Sequence, residues 1–480
     1  MTLLVRCPDT YLVERRYVLD VVLGEWLGLD YELTLSAQPG VSIRLRGDPL
    51  EREIRLPDVL FSTPMRSWLT QEAAPARPLA WLTVAGDEAN SEGQPLRTLP
   101  AIYGTTTANG LASQRVHDGI SISIDILGSA FYMLTRSEEL ASKASDTHGR
   151  FPANGSLAAR EGFLERPIVD EYVELLSSAV HALWPGLGRR PTQFRLAMTH
   201  DVDRPWAVLG RRFTDVGRAL AADIVRRHDP RLALRRGRAF IETRAGRVDH
   251  DPENSFDFLM DTSERLGLRD TFYFMTGEPA GTLDARRFRG YGRVPYRISD
   301  PPVVALLRRV MSRGHEVGLH ASYDSYLSAE RLHSELQVLI GACRTAGFDQ
   351  PAWGVRQHFL RFRNPDTWRH QESAGLAHDS TLGFADQIGF RAGTCREYPL
   401  FDVPRRRRLE LRERPLVVMD TTLFEYLAVP FDEAACRVKS IVGECRRHGG
   451  SPVLLFHNDG LTGPRRRAHY RDLVGDLAQG

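Results

Sequence analysis

The chain has 480 residues, 42% of them hydrophobic and 26% charged. That balance belongs to ordinary globular proteins and excludes a collagen-like, disulfide-scaffold or wholly disordered chain. Sixty-three basic residues face 61 acidic ones, a net charge of +2, so no global field for nucleic acid is expected.

The length predicts two or three domains. In the first part, residues 1–188, the helical patterns lie at 17–28 and 168–183, with Ile168, Tyr172, Leu175, Leu176, Ala179 and Leu183 on one stripe. Residues 41–46 (VSIRLR) and 120–126 (ISISIDI) alternate like half-buried strands. Pro185, Gly186, Gly188 and Pro191 then break the chain and mark a domain boundary. In the second part, 192–480, short apolar runs at 194–198, 271–275, 316–319, 352–355, 416–420 and 453–456 alternate with amphipathic stretches, such as 303–311 and 332–343. Repeated βα units of this kind predict a parallel sheet, open or closed into a barrel. The expected fold class is therefore α/β, with a separate N-terminal α/β domain ahead of that sheet.

Several chemistries are excluded early. Only Lys143 and Lys439 are lysines, and no G-x-x-x-x-G-K-[ST] loop occurs. G-x-S-x-G, H-E-x-x-H and a dinucleotide-binding G-x-G-x-x-G after the first strand are also missing. Five cysteines (Cys7, Cys343, Cys395, Cys436 and Cys445) show no C-x-x-C and predict reduced thiols in a cytoplasmic setting. Charges interrupt the N-terminus too early for a signal peptide, and no apolar run reaches the length of about 18 that spans a membrane. The arginine runs 405–408 and 465–467 read as solvated loop charge.

Polar residues follow the predicted strands. After 194–198 comes Thr199-His200-Asp201-Val202-Asp203. Residues i and i+2 of an extended chain project to one side, so Asp201 and Asp203 converge at a strand end, where two carboxylates repel unless a cation or proton lies between them. After 316–319 come His320 and Asp324, four apart; on a helical turn both face one way and can grip a divalent ion. Imidazole with carboxylates suits zinc, cobalt, iron or manganese. Arg356, ending the run at 352–355, can orient Asp201 through a guanidinium fork, with His358 beside it as a substrate contact or a packed ring. His457, lifted out of the apolar run 453–456, is a candidate general acid. All of these fall on the strand ends where barrel enzymes keep their sites.

In the order THDVD (199–203), HASYD (320–324), VRQHF (355–359), DSTLGF (379–384) with GFRAGTC (389–395), and LLFHND (454–459), residues 192–480 resemble the NodB-homology polysaccharide deacetylases of the carbohydrate esterase family 4 type. The strings HDVDRP, GHEVGLHASY, RQHFLRF and GFRAGTC resemble a bacterial subgroup with an extra N-terminal α/β domain. The resemblance implies a distorted (β/α) barrel for 192–480 and a metal-dependent hydrolase that removes an N-acetyl group from an amino-sugar unit of a surface polysaccharide or its precursor. It implies Asp203, His320 and Asp324 as ligands to a divalent metal, zinc above cobalt, manganese or iron. Asp201 is then the base, Arg356 its partner and His457 the acid, with His358, Tyr323 and Asp379 as substrate contacts. Asp324 departs from the family, which carries a histidine there. Three alternatives stand beside this reading: a two-carboxylate glycoside hydrolase, a hydrolase of another amide on the same fold, and a non-catalytic carbohydrate-binding or scaffold protein. The expected partner is a carbohydrate, with neither nucleic acid nor a membrane span.

Overall fold

In a computed structural model, the structure describes residues 1–68, 70–84, 97–105, 109–188, 190, 192–207, 213–244, 247–249, 251–277 and 296–479. Pro191, one of the breakers at the expected boundary, lies outside the described residues. The N-terminal part carries β1 (Thr2–Cys7), β2 (Asp30–Leu35), β3 (Val41–Leu45), β4 (Glu53–Leu56), β5 (Ala80–Thr83), β6 (Thr98–Ala101), β7 (Ser113–Val116) and β8 (Gly119–Ile122). Six of them form one sheet in the order β2-β1-β3-β4-β8-β7, while β5 and β6 pair separately. The alternation at 120–126 does not make one strand to its end. Asp125 interrupts it: its Oδ1 accepts from the Gly128 N–H at 2.8 Å and caps the helix Ile126–Leu134. The stripe at 168–183 forms the helix Ile168–Leu183.

The second part carries β9 (Ala197–Val202), β10 (Thr271–Phe274), β11 (Glu316–Ala321), β12 (Gly354–Gln357), β13 (His378–Asp379), β14 (Tyr398–Asp402), β15 (Arg407–Glu413), β16 (Leu416–Met419) and β17 (Val453–Leu455). Their order is β14-β15-β13-β12-β11-β10-β9-β17-β16. All neighbours are parallel except the edge pair β14 and β15. β15 and β16 stand seven strand spacings apart in that order, about 34 Å on a flat sheet. Yet only residues 414 and 415 join them, a reach of roughly 11 Å from Glu413 to Leu416. The sheet is therefore curled, its ends brought together with no closing ladder among the described residues. The carboxyl ends of β9, β11, β12 and β17 face one mouth, where the helical connections leave room for a site.

The two parts share one hydrophobic core. Tyr17 donates to the Pro399 carbonyl at 2.8 Å, and its ring lies 4.8 Å from Phe401. The buried Arg391 pairs with Glu139 at 2.8 Å, and Arg396 with the buried Asp170 at 2.8 Å. Stripping one partner from such a buried pair costs about 3–5 kcal/mol. Residues 192–480 expressed alone leave both arginines unpaired and the shared core open. The fragment is expected to aggregate or to melt without cooperativity, measured by light scattering and calorimetry. A soluble, cooperatively melting monomer would show instead that the two parts are independent.

Candidate functional site

Four strand ends build the site. On β9, Thr199 and Asp201 project to one side, and the buried Arg356 of β12 reaches both: its Nη1 donates to Thr199 Oγ1 at 2.8 Å and to Asp201 Oδ1 at 3.0 Å. Arg356 is further fixed by Ser380, donating from Nε to its carbonyl at 2.9 Å and from Nη2 to its hydroxyl at 2.8 Å. The Tyr273 ring lies 4.6 Å beneath the guanidinium. That ring fits because β11 carries glycine at 318, where a Cβ would come within 2.5 Å of it. His200, on the opposite side of β9, turns away from the site. Its Nδ1 meets the Phe456 carbonyl at 2.8 Å and its Nε2 meets Asp270 at 3.2 Å.

Asp203, His320 and His358 form a three-residue group whose ligand atoms lie within 4.8 Å of one another. Asp203 Oδ1 is 2.9 Å from His320 Nε2 and 3.5 Å from His358 Nε2. His320 Nδ1 lies 3.0 Å from the Arg356 carbonyl. A carbonyl only accepts, so Nδ1 carries a proton and Nε2 is the nitrogen turned toward Asp203, free to act as a ligand once the ring is neutral. Asp203 Oδ1 is buried yet makes no hydrogen bond of acceptable geometry with the described residues, and His358 Nδ1 is likewise unsatisfied. Three donors that converge without bonding each other fit a shared cation. Burial opposes ionisation of Asp203, but His358 and His320 outweigh it and hold its carboxyl well below the usual range. Burial pushes the His358 pKa down, which favours the neutral ring a metal needs. The donor set suits zinc, cobalt, iron or manganese alike.

Asp324 is not in this group. The spacing from His320 implies a shared face only on a helix, whereas His320 sits in extended β11 and Asp324 precedes the short turn Ser325–Leu327. Its Oδ1 instead accepts from Arg361 Nη1 at 2.8 Å. His358, read from sequence as a substrate contact or packed ring, takes the third position. Two further expected substrate contacts are also placed elsewhere. Asp379 is fully buried; its Oδ1 accepts from the Thr381 N–H and hydroxyl, and burial raises its pKa to about 6. Tyr323 is buried, with its hydroxyl 2.9 Å from His148 Nδ1 and its ring 3.9 Å beneath the Arg361 guanidinium.

Across the cavity, His457 follows β17. Its Nδ1 lies 2.7 Å from Asp420 Oδ1, and its backbone N–H donates to Asp420 Oδ2 at 2.8 Å. Burial disfavours the charged ring, but Asp420 overrides it, and the His457 pKa stands well above its ordinary value. Asp420 is a residue the sequence reading missed, although it ends the predicted run 416–420 by the same rule that found the others. The cavity between these walls measures about 870 Å³, and Asp201, Asp203, His320, His358, Asp420 and His457 all line it. Phe424, Tyr426, Phe431, Tyr470 and Leu473 give it an apolar and aromatic flank. His148 and Arg150 of the N-terminal part also line it, from a stretch with no periodicity to announce them.

A family model described as a "Family of unknown function (DUF7033)" matches residues 3–185. No curated protein matches the chain. Among solved structures, the chain is similar to a Mycobacterium smegmatis protein assigned as a polysaccharide deacetylase, with 17% identity, a TM-score of 0.37, and coverage of 60% of this chain and 85% of that one. The Puue allantoinase is similar at 13% identity and a TM-score of 0.36, covering 60% and 85%. A CE4 family pseudoenzyme from Bacillus anthracis is similar at 9% identity and a TM-score of 0.28, covering 60% and 62%. Function is argued from the site itself. No helix among the described residues is long and apolar enough to cross a membrane.

Proposed function

We propose that the chain is a metal-dependent amide hydrolase that removes the N-acetyl group from an amino-sugar unit of a surface polysaccharide precursor inside the cell. The observation that carries this reading is the pairing of two opposite walls. One holds a cation-ready group beside an arginine-clamped carboxylate, Asp201; the other holds a histidine kept protonated by Asp420. That combination serves amide hydrolysis, because the departing amine is too basic to leave without a proton.

Asp203, His320 and His358 would hold the metal. When bound, a divalent cation supplies Lewis acidity to a carbonyl and makes water a better nucleophile at neutral pH. Asp201 takes a proton from the attacking water, and Arg356 keeps its carboxylate aimed. His457, with Nδ1 engaged by Asp420, delivers the Nε2 proton to the leaving nitrogen as the C–N bond breaks. Acetate and a free amine result. The aromatic flank suits the apolar faces of sugar rings. A two-carboxylate glycosidase would place a carboxylic acid where His457 stands.

The test is acetate release from acetylated amino sugars (free, nucleotide-linked and oligomeric) with zinc, cobalt or manganese and with chelator. Metal-stimulated, chelator-sensitive release is expected. Cleavage of glycosidic bonds without acetate, or no turnover on any substrate, would contradict the reading. Asp420→Asn adds a pH test. The acid form of His457 is lost as pH rises through its pKa, which Asp420 raises. The variant should lose activity at lower pH than wild type on the alkaline side of the kcat profile. An unmoved alkaline limb would remove His457 from the acid role.

A further inference from the structure

The cavity is not built by the second part alone. Residues 146–150 cross from the N-terminal part as a strap, closed on itself by Asp146, whose Oδ1 accepts from the His148 and Arg150 N–H groups at 2.8 and 2.9 Å. Arg150 is buried and spreads its guanidinium over three partners. Its Nε donates to Asp146 Oδ2 at 2.7 Å, Nη1 to the Phe359 carbonyl at 2.9 Å, and Nη2 to the Tyr426 hydroxyl at 3.1 Å. In return, Arg361 Nε donates to the His148 carbonyl at 2.8 Å.

These contacts land on the segment that carries His358. Phe359 and Leu360, its next two residues, both have left-handed backbones, at φ 63 and φ 54. For bulky side chains this conformation is strained and persists only where the surroundings over-determine it. Arg150 grips the first of the two carbonyls, one residue from His358. Without that grip the loop can relax, and His358 Nε2 moves off its 3.5 Å approach to Asp203.

We propose that Arg150 of the N-terminal part is a positioning residue that holds the His358 loop and thereby completes the metal site. The inference rests on the metal group Asp203, His320 and His358 of the reading above. It gives a role to the region matched by the family of unknown function, because the strap from that region finishes a centre whose donors all lie in the other part.

The test is zinc titration of the metal-free, full-length protein by calorimetry. Wild type is expected to bind one equivalent. Arg150→Ala, and Arg150→Met, which keeps the apolar stem, are expected to bind zinc about 10–100-fold more weakly, as for loss of an outer-shell support. Asp170→Asn is the control. It breaks a buried pair with Arg396 between the two parts, away from the cavity, and is expected to lower Tm with zinc affinity unchanged. Wild-type zinc affinity in either Arg150 variant overturns the proposal. So does an equal loss in Asp170→Asn, which would mark general loosening of the fold. A wild-type protein that binds no zinc overturns the metal group itself, a result separate from either of these.

Discussion

Asp201→Asn should slow amide hydrolysis by about 10²–10⁴-fold, the usual cost of losing a positioned general base, while bound metal stays near the wild-type level. The two neighbouring aspartates occupy different environments. Asp201 Oδ1 is engaged by Arg356 at 3.0 Å, and its Oδ2 stands 3.8 Å from His320 Nε2, outside the convergent group. Asp203 Oδ1 sits between two imidazoles with no hydrogen bond of its own. Asp203→Asn keeps the shape and removes the anion, so both metal and activity should fall. Metal analysis and acetate release on the two variants, measured side by side, check the assignment. Equal metal loss in both would merge the roles, and full activity in Asp201→Asn would remove the base.

His358→Ala should weaken zinc binding by more than the roughly 10–100-fold typical of an outer-shell partner, because it deletes one of three donors. Asp324→Ala should leave zinc binding unchanged. It frees Arg361 from a charged partner, and the expected cost is stability, about 1–3 kcal/mol for a group left short of a hydrogen bond. Zinc affinity should also fall with acidity. Burial lowers the His320 pKa, but Asp201 and Asp203 raise it more, so the ring gains a proton at higher pH than an ordinary histidine, and the cation must displace it. Calorimetry on the two variants at several pH values reads all three effects. Zinc loss in Asp324→Ala with none in His358→Ala would restore the ligand set expected from the sequence.

The sequence made much of this site legible because one rule, polar residues just beyond apolar strand runs, located Asp201, Asp203, His320, Arg356 and His457 before any fold was known. It failed for Asp324, where a spacing of four was read as a helical turn although the chain there leaves a strand. It undervalued His358, because its role depends on two consecutive left-handed residues that no propensity predicts in Phe359 and Leu360. Asp379 sits at a strand end like the others, yet β13 is only two residues long and its carboxyl turns into Thr381. The helix at 168–183 was plain from its stripe, whereas β13 to β15 carried too little alternation to find. His148 and Arg150 had no local signal: their place is set by a strap that only the shared core of the two parts brings to the cavity.

The measurement closest to the central claim is the metal content of purified wild-type protein, followed by titration of the metal-free form with zinc, cobalt and manganese. One equivalent bound per chain, lost in Asp203→Asn and retained in Asp201→Asn, is the predicted result. A protein that carries no metal and whose acetate release is indifferent to all three ions would contradict the account.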